Sequence, residues 1–362
     1  MKDFLKGFPG RVLYAIKANS EPSVLRLLTE ARVRHFDCAS LPEIALIDTI
    51  EPNAKKYFMN PARIRGAAGT AQEEHRVRHF VVDDLSGMSQ LAKEIDTARS
   101  VVFARMAVHH ESAMEDLSVR FGAQPEEMPA LLEAIRDSGA EPALAFNVGS
   151  SVTHPDAYRH SISVTKSVLE QLRFRLRLID VGGGYPKSYP GFIVPEVEEY
   201  FEAVAESFQT LPLADNAEVL SEPGRALAAP GMSAVVEVLL RKDNRLYLND
   251  GMYGVFWVLR IDGHDRYPVR AYRNARPLEG ATIEFQLNGP TCDSTDTLPG
   301  LVPLPVDIRA GDHLEFGNIG AYSISGRTDY NGFYSDRIVT ITSPDESPPL
   351  VDDRPLSKAN RQ

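Results

Sequence analysis

An eightfold alternation of short β-rich runs and amphipathic stretches is the feature that most limits how this chain can fold. In three of the intervening stretches, 21–31, 86–98 and 125–138, the apolar residues recur at helical spacing. Eight strand–helix units within about 220 residues match the count and size of a (β/α)8 barrel. The chain is therefore predicted to be an α/β protein built on a TIM-like (β/α)8 barrel, with an open doubly wound sheet as the alternative. The β-rich runs are 11–17, 35–40, 56–60, 79–84, 101–108, 143–150, 177–184 and 218–224.

The pattern changes after residue 230, where β-rich segments follow one another without a long helix between them. Glycine and proline separate these segments, which is typical of an all-β domain. The predicted domains are a barrel over 1–230, a β-sandwich or barrel-like domain over 231–345 and a surface tail over 346–362. The β-rich segments are 233–240, 245–248, 269–272, 282–287, 313–316 and 337–341.

The formal net charge of −11 argues against a basic surface for nucleic acid, so nucleic acid is not expected as a partner. No apolar run is long enough to span a bilayer, and residues 1–7 lack the apolar core of a signal peptide, so a cytoplasmic location is expected. The two cysteines, Cys38 and Cys292, lie far apart and match neither a disulfide framework nor a zinc spacing. Reduced thiols and no metal site are predicted.

The ends of the β-rich runs carry polar side chains, and barrels build their active sites at the carboxyl ends of their strands. Run seven ends in a glycine triplet, whose backbone N–H groups could close on an anion because no Cβ intervenes, although such a triplet also serves as a plain turn. Arg225 follows run eight, and the loops after strands seven and eight commonly bind phosphate in barrels, so a phosphate-bearing ligand is predicted. The strand-end residues are Lys17, Asp37, Ser40, Arg105, Asn147, Ser150, Gly182, Gly183, Gly184, Glu222 and Arg225.

Lys17 follows the apolar residues 12–16, so its amine is expected to emerge from a buried strand, where partial loss of water favours nucleophilic chemistry. A lysine that merely snorkels out of a strand end is the structural alternative. A lysine, a phosphate cradle and a buried carboxylate together suggest pyridoxal phosphate as the cofactor.

Eight short motifs, in order along residues 11–341, resemble the motif series of fold-type III pyridoxal-phosphate decarboxylases, in the barrel superfamily of alanine racemase. Each motif alone is weak, but the ordered series is specific and is similar to the ornithine and lysine decarboxylases in particular. The resemblance implies a (β/α)8 barrel with a β domain, in a homodimer whose active sites are shared at the interface. The motifs are YAIKAN at 14–19, FDCAS at 36–40, GGG at 182–184, EPGR at 222–225, NDGMYG at 249–254, GPTCD at 289–293, GAY at 320–322 and NGF at 331–333.

The resemblance implies that Lys17 holds the cofactor as a Schiff base and that Glu222 faces the pyridine nitrogen and keeps it protonated. For Glu222 the alternative is a salt bridge to Arg225. Asp37 and Arg105 match positions that flank the cofactor, with a strand-end ion pair as the alternative. For Ser150 and Tyr322 taken singly, a turn hydroxyl and a core tyrosine are the alternatives. The implied phosphate ligands are Ser150, Gly182, Gly183, Gly184, Arg225 and Tyr322.

The resemblance also implies a substrate site. Cys292 and Asp293 match a loop that reaches the neighbouring subunit's active site, where the thiol reprotonates the α-carbon and the carboxylate receives the substrate's distal amine. A buried structural thiol is the alternative for Cys292. Asp250 is the second carboxylate expected to receive the distal ammonium, and two carboxylates facing one cation fit a diamino-acid substrate. An ion pair between Asp296 and Arg120 across the dimer is a further hypothesis.

Two departures from the family pattern limit what carries over. Relatives have a histidine stacked on the cofactor ring in a Phe-His-Val-Gly-Ser motif, where this chain has Asn147 in FNVGS at 146–150. An amide lacks that stacking face, so cofactor affinity, rate or reaction specificity is expected to differ. Relatives also place a β-domain strand and a helix before the lysine strand, whereas only ten residues precede Arg11. Either the sequence is incomplete at this end or the β domain closes differently.

The predicted function is decarboxylation of a basic L-amino acid, ornithine or lysine, to a diamine, as in polyamine biosynthesis. Asp293 after Cys292 favours this activity over the diaminopimelate branch, which has glutamate there, and racemases use a tyrosine opposite the lysine instead. Decarboxylation of another amino acid stays open because of Asn147. A non-catalytic homologue that binds a partner protein also stays open, although the retained Lys17 and Glu222 count against it.

Overall fold

The structure is a computed structural model that describes residues 2–260, 267–333, 335 and 337–341 of the 362-residue chain. Its contacts divide the chain into two units. The first comprises Met1–Pro186 and Val194–Leu227, and the second comprises Lys187–Ile193 and the chain from Ala228 onward. The surface tail expected over 346–362 lies outside the described residues.

The first unit consists of short strands joined by helices, in the alternation that the sequence predicts. Two of the helices, α3 and α5 below, are capped at their amino ends by Ser40 and Asp84, whose side chains accept backbone N–H groups of the first turn. The strands are β1 (Arg11–Val12), β2 (Tyr14–Ala15), β3 (His35–Cys38), β4 (Lys55–Phe58), β5 (His79–Val82), β6 (Val101–Met106), β7 (Ala113–Glu115), β8 (Glu141–Phe146), β9 (Ser150–Val152), β10 (Leu178–Asp180) and β11 (Glu218–Ser221). The helices are α1 (Lys2–Gly7), α2 (Pro22–Glu30), α3 (Leu41–Ile50), α4 (Ala67–Glu73), α5 (Leu85–Leu91), α6 (Met128–Asp137), α7 (Asp156–Leu169), α8 (Val197–Phe208) and α9 (Arg225–Ala228).

Nine of these strands form one parallel sheet, in the order β1-β11-β10-β8-β6-β5-β4-β3-β2. The sheet comes back to its own beginning because the first strand is interrupted at Leu13, so that β1 pairs with β11 and β2 pairs with β3. The Leu13 N–H donates to Ser221 O at 2.7 Å, and the Ala15 N–H donates to Pro223 O at 3.2 Å. The predicted (β/α)8 barrel is confirmed, and each of the eight predicted β-rich runs overlaps a strand of this sheet.

The barrel interior is packed with side chains from the inward face of the strands. Residues two apart on a strand share a face, and Ala143 and Ala145 of β8 both belong to this cluster. Amphipathic helices cover the outer face, and α2, for example, buries Leu25 and Leu28. Among the described residues, no helix is long and apolar enough to cross a membrane. The buried interior residues are Leu13, Tyr57, Met59, Val81, Phe103, Ala143, Ala145 and Leu220.

Several predicted strands end earlier than the sequence pattern indicated. Lys17 lies in a 3₁₀ turn, Ile16–Ala18, directly after β2 and not inside the strand predicted over 11–17. This turn buries its two apolar residues and leaves Lys17 exposed at the mouth of the barrel. Similarly, β8 and β10 stop before Gly149 and Gly182, whose positive φ angles of +106° and +70° leave the strand conformation. These predicted site residues therefore lie in loops and turns just beyond the strands.

The second unit is built on a seven-stranded sheet in the order β15-β14-β18-β12-β13-β16-β17. All its pairings are antiparallel except that of β13 with β16. A single apolar cluster, which includes Val238, Leu248, Phe285 and Leu314, forms its core. Its strands are β12 (Ala234–Lys242), β13 (Arg245–Leu248), β14 (Val269–Arg273), β15 (Arg276–Pro277), β16 (Thr282–Asn288), β17 (Val302–Pro305) and β18 (His313–Phe316), and its helix is α10 (Ser323–Gly326). The predicted all-β character of this unit is confirmed.

Some details of the second unit differ from the prediction. The β-rich segment 337–341 is not a strand; Val339 and Ile341 in it are 70% and 79% exposed. Conversely, β17 was not predicted, because its two prolines lack the N–H that a sheet ladder needs. The strand lies at one edge of the sheet, which is where proline is tolerated.

Two histidines pack around Tyr57 at the amino ends of the barrel strands. His35 Nδ1 lies 3.2 Å from Tyr57 Oη, and the His79 ring stacks on Tyr57 with ring centroids 4.0 Å apart. Burial, followed by the charges of Arg11 and Lys55, lowers the pKa of His35 to about 4. Burial, followed by the charge of His35 and nearby cations, lowers the pKa of His79 to about 3. The folded protein therefore keeps both rings neutral in the range where an unfolded chain protonates them.

We expect His79 to make the protein sensitive to mild acid. Its pKa is lower in the folded state, so its contribution to stability is complete above about pH 6.5 and declines as the pH falls below that value, by on the order of 1 kcal/mol per pH unit. The variant His79→Phe keeps an aromatic ring on Tyr57 and removes the titration. Urea unfolding at a series of pH values should therefore show that the free energy of unfolding declines less steeply below about pH 6.5 in His79→Phe than in the wild type. The exposed His154→Gln is the control, and an unchanged acid limb in His79→Phe would contradict the assignment.

Candidate active site

Lys17 lies at the barrel mouth beside a buried carboxylate. Its Nζ donates to Asp37 Oδ2 at 3.1 Å, and the side chain of Lys17 is 48% exposed whereas that of Asp37 is 1% exposed. Asp37 pairs with Ala15 and Tyr57 on the neighbouring strands, and Tyr57 is part of the barrel interior, so Asp37 also points inward. Because a buried carboxylate needs a compensating charge, this pair fixes the amine at the strand ends. The structure thus brings together two of the predicted site residues.

The glycine triplet passes between the loops that follow β8 and β11, at distances that only glycine allows. A Cβ on Gly182 would collide with the carbonyl oxygen of Phe146. A Cβ on Gly183 would lie 2.6 Å from the carbonyl oxygen of Glu222, and Gly184 has a φ of +100°. This close packing, together with the positive φ values, explains the three glycines without reference to a ligand, and it also leaves a loop free of side chains.

The loop after β8 carries Asn147 and Ser150 and is joined to the glycine loop. Asn147 Oδ1 accepts the Gly149 N–H at 3.0 Å, a local turn that ties its amide to the backbone. Ser150 begins β9, and the N–H of Val152 at the other end of this strand donates to Gly184 O at 2.9 Å. Asn147 and Ser150 are therefore brought to the same end of the barrel as the triplet.

Five charged or ionisable groups face one another at the mouth. Burial, followed by the charges of Asp180 and Asp37, raises the pKa of Glu222 well above its usual value, and Lys17 and Arg105 act in the opposite direction. Burial also raises the pKa of Asp180. These carboxyl groups therefore bind a proton more tightly than free ones do. Strand register supports the placement of Arg105, which pairs with the interior residue Ala145.

Two residues of this region were not among those predicted. Asp180 ends β10, is fully buried and accepts the Gly182 N–H at 2.8 Å through Oδ1. The available signal was an aspartate inside an apolar run just before the triplet. Tyr158, on α7, donates its hydroxyl to Gly183 O at 2.7 Å and so supports the loop from beneath. Its position on an amphipathic helix is that of an ordinary core residue, so no sequence signal marks it.

The second unit holds a separate group of predicted residues on two neighbouring loops. Asp250 is buried and accepts the N–H groups of Gly251 and Val255 through Oδ1, at 2.7 and 3.0 Å. Asp293 Oδ2 accepts the Tyr253 hydroxyl at 2.6 Å, which joins the two loops. Burial raises the pKa of Asp250. The hydrogen bond from Tyr253 lowers the pKa of Asp293, so the two carboxyl groups differ in proton affinity.

Asp296, in the same loop as Asp293, forms hydrogen bonds within its own unit, and its suggested ion pair with Arg120 across the dimer stays a prediction. It is 2% exposed, its Oδ1 accepts the Met252 N–H at 2.7 Å, and its Oδ2 accepts the N–H and hydroxyl of Thr291 at 3.0 and 2.7 Å. Arg120, its expected partner, lies over the Phe121 ring at 5.3 Å. Asp296 therefore organises its own loop, and both of its oxygens are already hydrogen-bonded there.

The remaining predicted residues are placed as follows. Arg225 is the first residue of α9 and is buried, at 5% exposure. Tyr322 belongs to the second unit, where it precedes α10 with a φ of +63° and packs against the apolar core. Cys292 is exposed, so the alternative of a buried structural thiol is wrong for it and applies instead to Cys38. The cofactor and substrate roles of all these residues remain predictions.

We expect Gly182→Ala to damage the loop more than its backbone conformation alone would. A Cβ there adds a collision with the Phe146 carbonyl to the cost of a positive φ, whereas Gly139 has a φ of +89° and open space around it. Gly139→Ala is therefore the matched control, with the conformational cost of about 1 kcal/mol and no collision. Thermal unfolding and titration with pyridoxal phosphate should show a larger loss of stability and of affinity in Gly182→Ala. Equal losses in the two variants would count against a tightly packed loop.

The barrel mouth fits pyridoxal phosphate, the cofactor that the resemblance implies. An amine for its aldehyde is present at Lys17, and a carboxyl group with a raised pKa for its ring nitrogen is present at Glu222. The triplet packs against neighbouring backbone and leaves a loop without side chains beside these groups. Asp37 Oδ1 is buried and accepts no hydrogen bond within the described part of the chain. The donor and acceptor types at the mouth thus match the three polar parts of the cofactor.

Comparison with known families gives a direct match. The family model described as "Pyridoxal-dependent decarboxylase, pyridoxal binding domain" matches residues 1–229. The lysine/ornithine decarboxylase of Selenomonas ruminantium is 30% identical, over 96% of this chain and 88% of that protein. Antizyme inhibitor 2 of Xenopus laevis is 29% identical, over 91% of this chain and 75% of that protein. Its name denotes an inhibitor of another protein, so similarity of this degree extends beyond proteins named as decarboxylases.

Solved structures agree with the sequence comparison. The lysine/ornithine decarboxylase of Vibrio vulnificus complexed with putrescine has a TM-score of 0.79 at 27% identity, covering 92% of this chain and 88% of that one. The SrLDC complex with PLP and cadaverine has a TM-score of 0.78 at 27% identity, covering 91% and 84%. The chain therefore belongs to the fold-type III pyridoxal-dependent decarboxylases, and its cofactor is pyridoxal phosphate.

Proposed function

We propose that this protein decarboxylates ornithine or lysine to a diamine through covalent attachment of the cofactor to Lys17. The observation that carries the proposal is the Lys17 amine, held 3.1 Å from buried Asp37 at a mouth that also contains the glycine loop and Glu222. Similarity to a lysine/ornithine decarboxylase supports the substrate class. When bound, pyridoxal phosphate supplies an electron sink for the pair of electrons left at the α-carbon when carbon dioxide departs.

The chain's own groups bind and orient the cofactor. Lys17 would hold the cofactor covalently through Nζ, while Asp37 keeps the lysine amine in place. Glu222 holds a proton at the ring nitrogen, which its raised pKa supports. Arg105 and Asn147 flank the ring; the amide of Asn147 supplies a smaller contact surface than a stacked histidine. The phosphate is bound by Ser150, Gly182, Gly183, Gly184, Arg225 and Tyr322.

The second unit supplies the substrate-binding and proton-donating groups. Asp250 and Asp293 receive the distal ammonium of the substrate, and the Tyr253 hydroxyl orients Asp293 from 2.6 Å away. The exposed Cys292 thiol donates the proton that restores hydrogen at the substrate α-carbon. Two carboxylates for one ammonium favour a substrate with a second amine over its apolar analogue.

We further propose a homodimer in which Cys292 and Asp293 serve the active site of the neighbouring subunit. A mixture of two inactive variants, Lys17→Ala and Cys292→Ala, tests this arrangement. After random exchange of subunits, half of the dimers are mixed and each has one intact site, so about a quarter of the wild-type activity should return. The control is a mixture of Lys17→Ala with Glu222→Gln, whose residues lie in the same unit. No recovery in the first mixture would contradict a shared site.

A second candidate is decarboxylation of an amino acid without a simple distal ammonium, and Arg260 favours it. Its guanidinium lies over the Tyr253 ring, 5.4 Å from the ring centroid, and its charge contributes to lowering the pKa of Asp293. A cation of the protein thus already lies near one of the two carboxylates. The departure at Asn147 points in the same direction, because the surroundings of the cofactor ring also differ from the family pattern.

Two measurements test the proposed function. The purified protein reconstituted with pyridoxal phosphate should show the visible absorption band of a lysine-bound cofactor, and borohydride reduction should fix the cofactor to the peptide that contains Lys17. Release of carbon dioxide from ornithine, lysine, arginine and diaminopimelate then ranks the substrates. Release from ornithine or lysine with formation of the matching diamine supports the first candidate. Binding of the cofactor without release from any of them would overturn it.

A further inference from the structure

Asp180 is an unassigned acidic residue whose side chain points into the barrel. It pairs with Leu220 on β11 and with Ala145 on β8, and both partners belong to the interior cluster. Residues that pair across neighbouring strands share a face of the sheet, so the Asp180 carboxyl group is inside the barrel as well. Glu222 follows Leu220 by two residues and therefore extends from the same face. Asp180 thus lies one layer beneath Glu222, on the adjacent strand.

The two oxygens of Asp180 have different surroundings. Oδ1 accepts the Gly182 N–H at 2.8 Å and so fixes the orientation of the carboxyl group. Oδ2 is buried and accepts no hydrogen bond from any donor in the described ranges. The carboxyl group of Glu222, on the neighbouring loop, interacts with that of Asp180 and acts on its pKa as a hydrogen-bonding group. Two carboxylates cannot bond to each other, so this contact becomes a hydrogen bond only when one of them carries a proton.

The charges at the barrel mouth favour retention of one proton by Asp180 and Glu222 together. Asp37 is compensated directly by Lys17 at 3.1 Å, whereas Asp180 and Glu222 have no such ion pair among the described residues. Burial raises the pKa values of both, and each is raised further by neighbouring carboxylates. Two adjacent buried carboxyl groups therefore titrate as a unit and retain one proton between them. The other charged or titratable groups that face the pair are Lys17, Asp37, Arg105, Tyr57 and Tyr185.

We propose that Asp180 is a positioning residue that shares one proton with Glu222 and thereby sets how firmly Glu222 holds a proton at the cofactor's ring nitrogen. The proposal rests on the function proposed above, because it assigns Asp180 an effect through Glu222. Asp180 also supports the glycine loop through the Gly182 N–H. A single buried carboxyl group thus links the proton at one end of the cofactor site to the shape of the phosphate loop at the other.

The variant Asp180→Asn separates these two effects. Asparagine has nearly the same shape and its carbonyl oxygen still accepts the Gly182 N–H, but it removes the negative charge beside Glu222. In cofactor-free protein, the infrared band of a protonated carboxyl group should disappear at lower pH in Asp180→Asn than in the wild type, by about one pH unit or more. Glu222→Gln should shift the band in the same direction, since it leaves Asp180 without a partner. Reciprocal shifts are the signature of a shared proton.

Affinity for pyridoxal phosphate gives the second measurement. Affinity should fall with rising pH once the pair has lost its proton, and this fall should begin at lower pH in Asp180→Asn. Asp180→Ala should bind weakly at every pH, because it also loses the acceptor for Gly182. Asp84→Asn, which changes a carboxylate at the start of α5, is the control and should follow the wild type.

The outcomes separate the two proposals. Superimposable pH profiles for Asp180→Asn and the wild type, with a changed profile for Glu222→Gln, would overturn the role of Asp180 and leave the proposed function intact. Absence of any infrared shift in both variants would also overturn it. Failure of the wild type to bind pyridoxal phosphate would instead overturn the proposed function. If Asp180→Asn does not fold, the band of the wild type compared with that of Glu222→Gln still decides whether a proton is shared.

Discussion

Replacing Lys17 by alanine is expected to abolish decarboxylation and covalent attachment of the cofactor. In the proposed function the lysine amine is the covalent anchor and takes part in proton transfer, so its loss should lower the turnover number by about 10³-fold or more. The visible band of the lysine-bound cofactor should be absent, and borohydride should no longer fix the cofactor to the protein. Release of carbon dioxide and the absorption spectrum are the two measurements.

Lys17→Arg is the matched control for charge and folding. Alanine leaves buried Asp37 without its ion-pair partner, 3.1 Å away in the wild type, so a loss of stability accompanies the loss of the amine. Arginine keeps the positive charge but forms no such covalent link. Equal inactivity in the two variants, with near-wild-type melting of Lys17→Arg, assigns the effect to chemistry. Appreciable turnover by either variant would refute the assignment of Lys17.

Replacing Asp293 by asparagine is expected to reduce selectivity for a diamino acid. The carboxylate is held by the Tyr253 hydroxyl at 2.6 Å and by the Thr295 N–H at 2.8 Å, so its position is defined before substrate arrives. An amide of the same shape cannot pair with an ammonium. The ratio kcat/KM for ornithine or lysine should fall by about 10- to 100-fold, chiefly through KM, whereas that for norleucine, which lacks the distal amine, should change little.

The variant Tyr253→Phe makes a smaller change at the same site. It removes the hydrogen bond that is the first cause of the lowered pKa of Asp293 but keeps the carboxylate. Asp293 is charged above its folded pKa, so raising that pKa moves the acid limb of kcat/KM to higher pH. At alkaline pH the variant should approach the wild type, which Asp293→Asn should not do. If Asp293→Asn reduces activity equally on ornithine and norleucine, the carboxylate does not bind the distal amine.

The positions of the barrel strands could be predicted because each strand has a recognisable pattern in its local sequence. Runs such as 79–84 combine apolar and β-branched residues over a short length, and the glycines that follow strands are visible in the printed sequence. The carboxyl ends of the strands were less predictable. Lys17 was expected as the last residue of a strand, but the backbone turns after Ala15 to bury Ile16 and Ala18, a consequence of packing that no local pattern reports.

The residues that support the site loops were the ones missed. Asp180 and Tyr158 both support the glycine loop, one through the Gly182 N–H and the other through the Gly183 carbonyl. The hydroxyl of Tyr158 reaches a loop 25 positions away in the chain. For Asp296 the sequence suggested only an ion pair with Arg120 across the dimer, and its hydrogen bonds with donors from two loops were not predicted.

The interruption of the first strand at Leu13 has a consequence for the order of events during synthesis. The segment that presents Lys17 is held on one side by β3, early in the chain, and on the other by β11, some two hundred residues later. Pairing between such distant segments forms late, because the intervening chain must be ordered first. A nascent chain therefore carries Lys17 long before the barrel mouth forms, and on the proposed assignment we expect cofactor uptake only once residues 218–223 have left the ribosome and closed the ring.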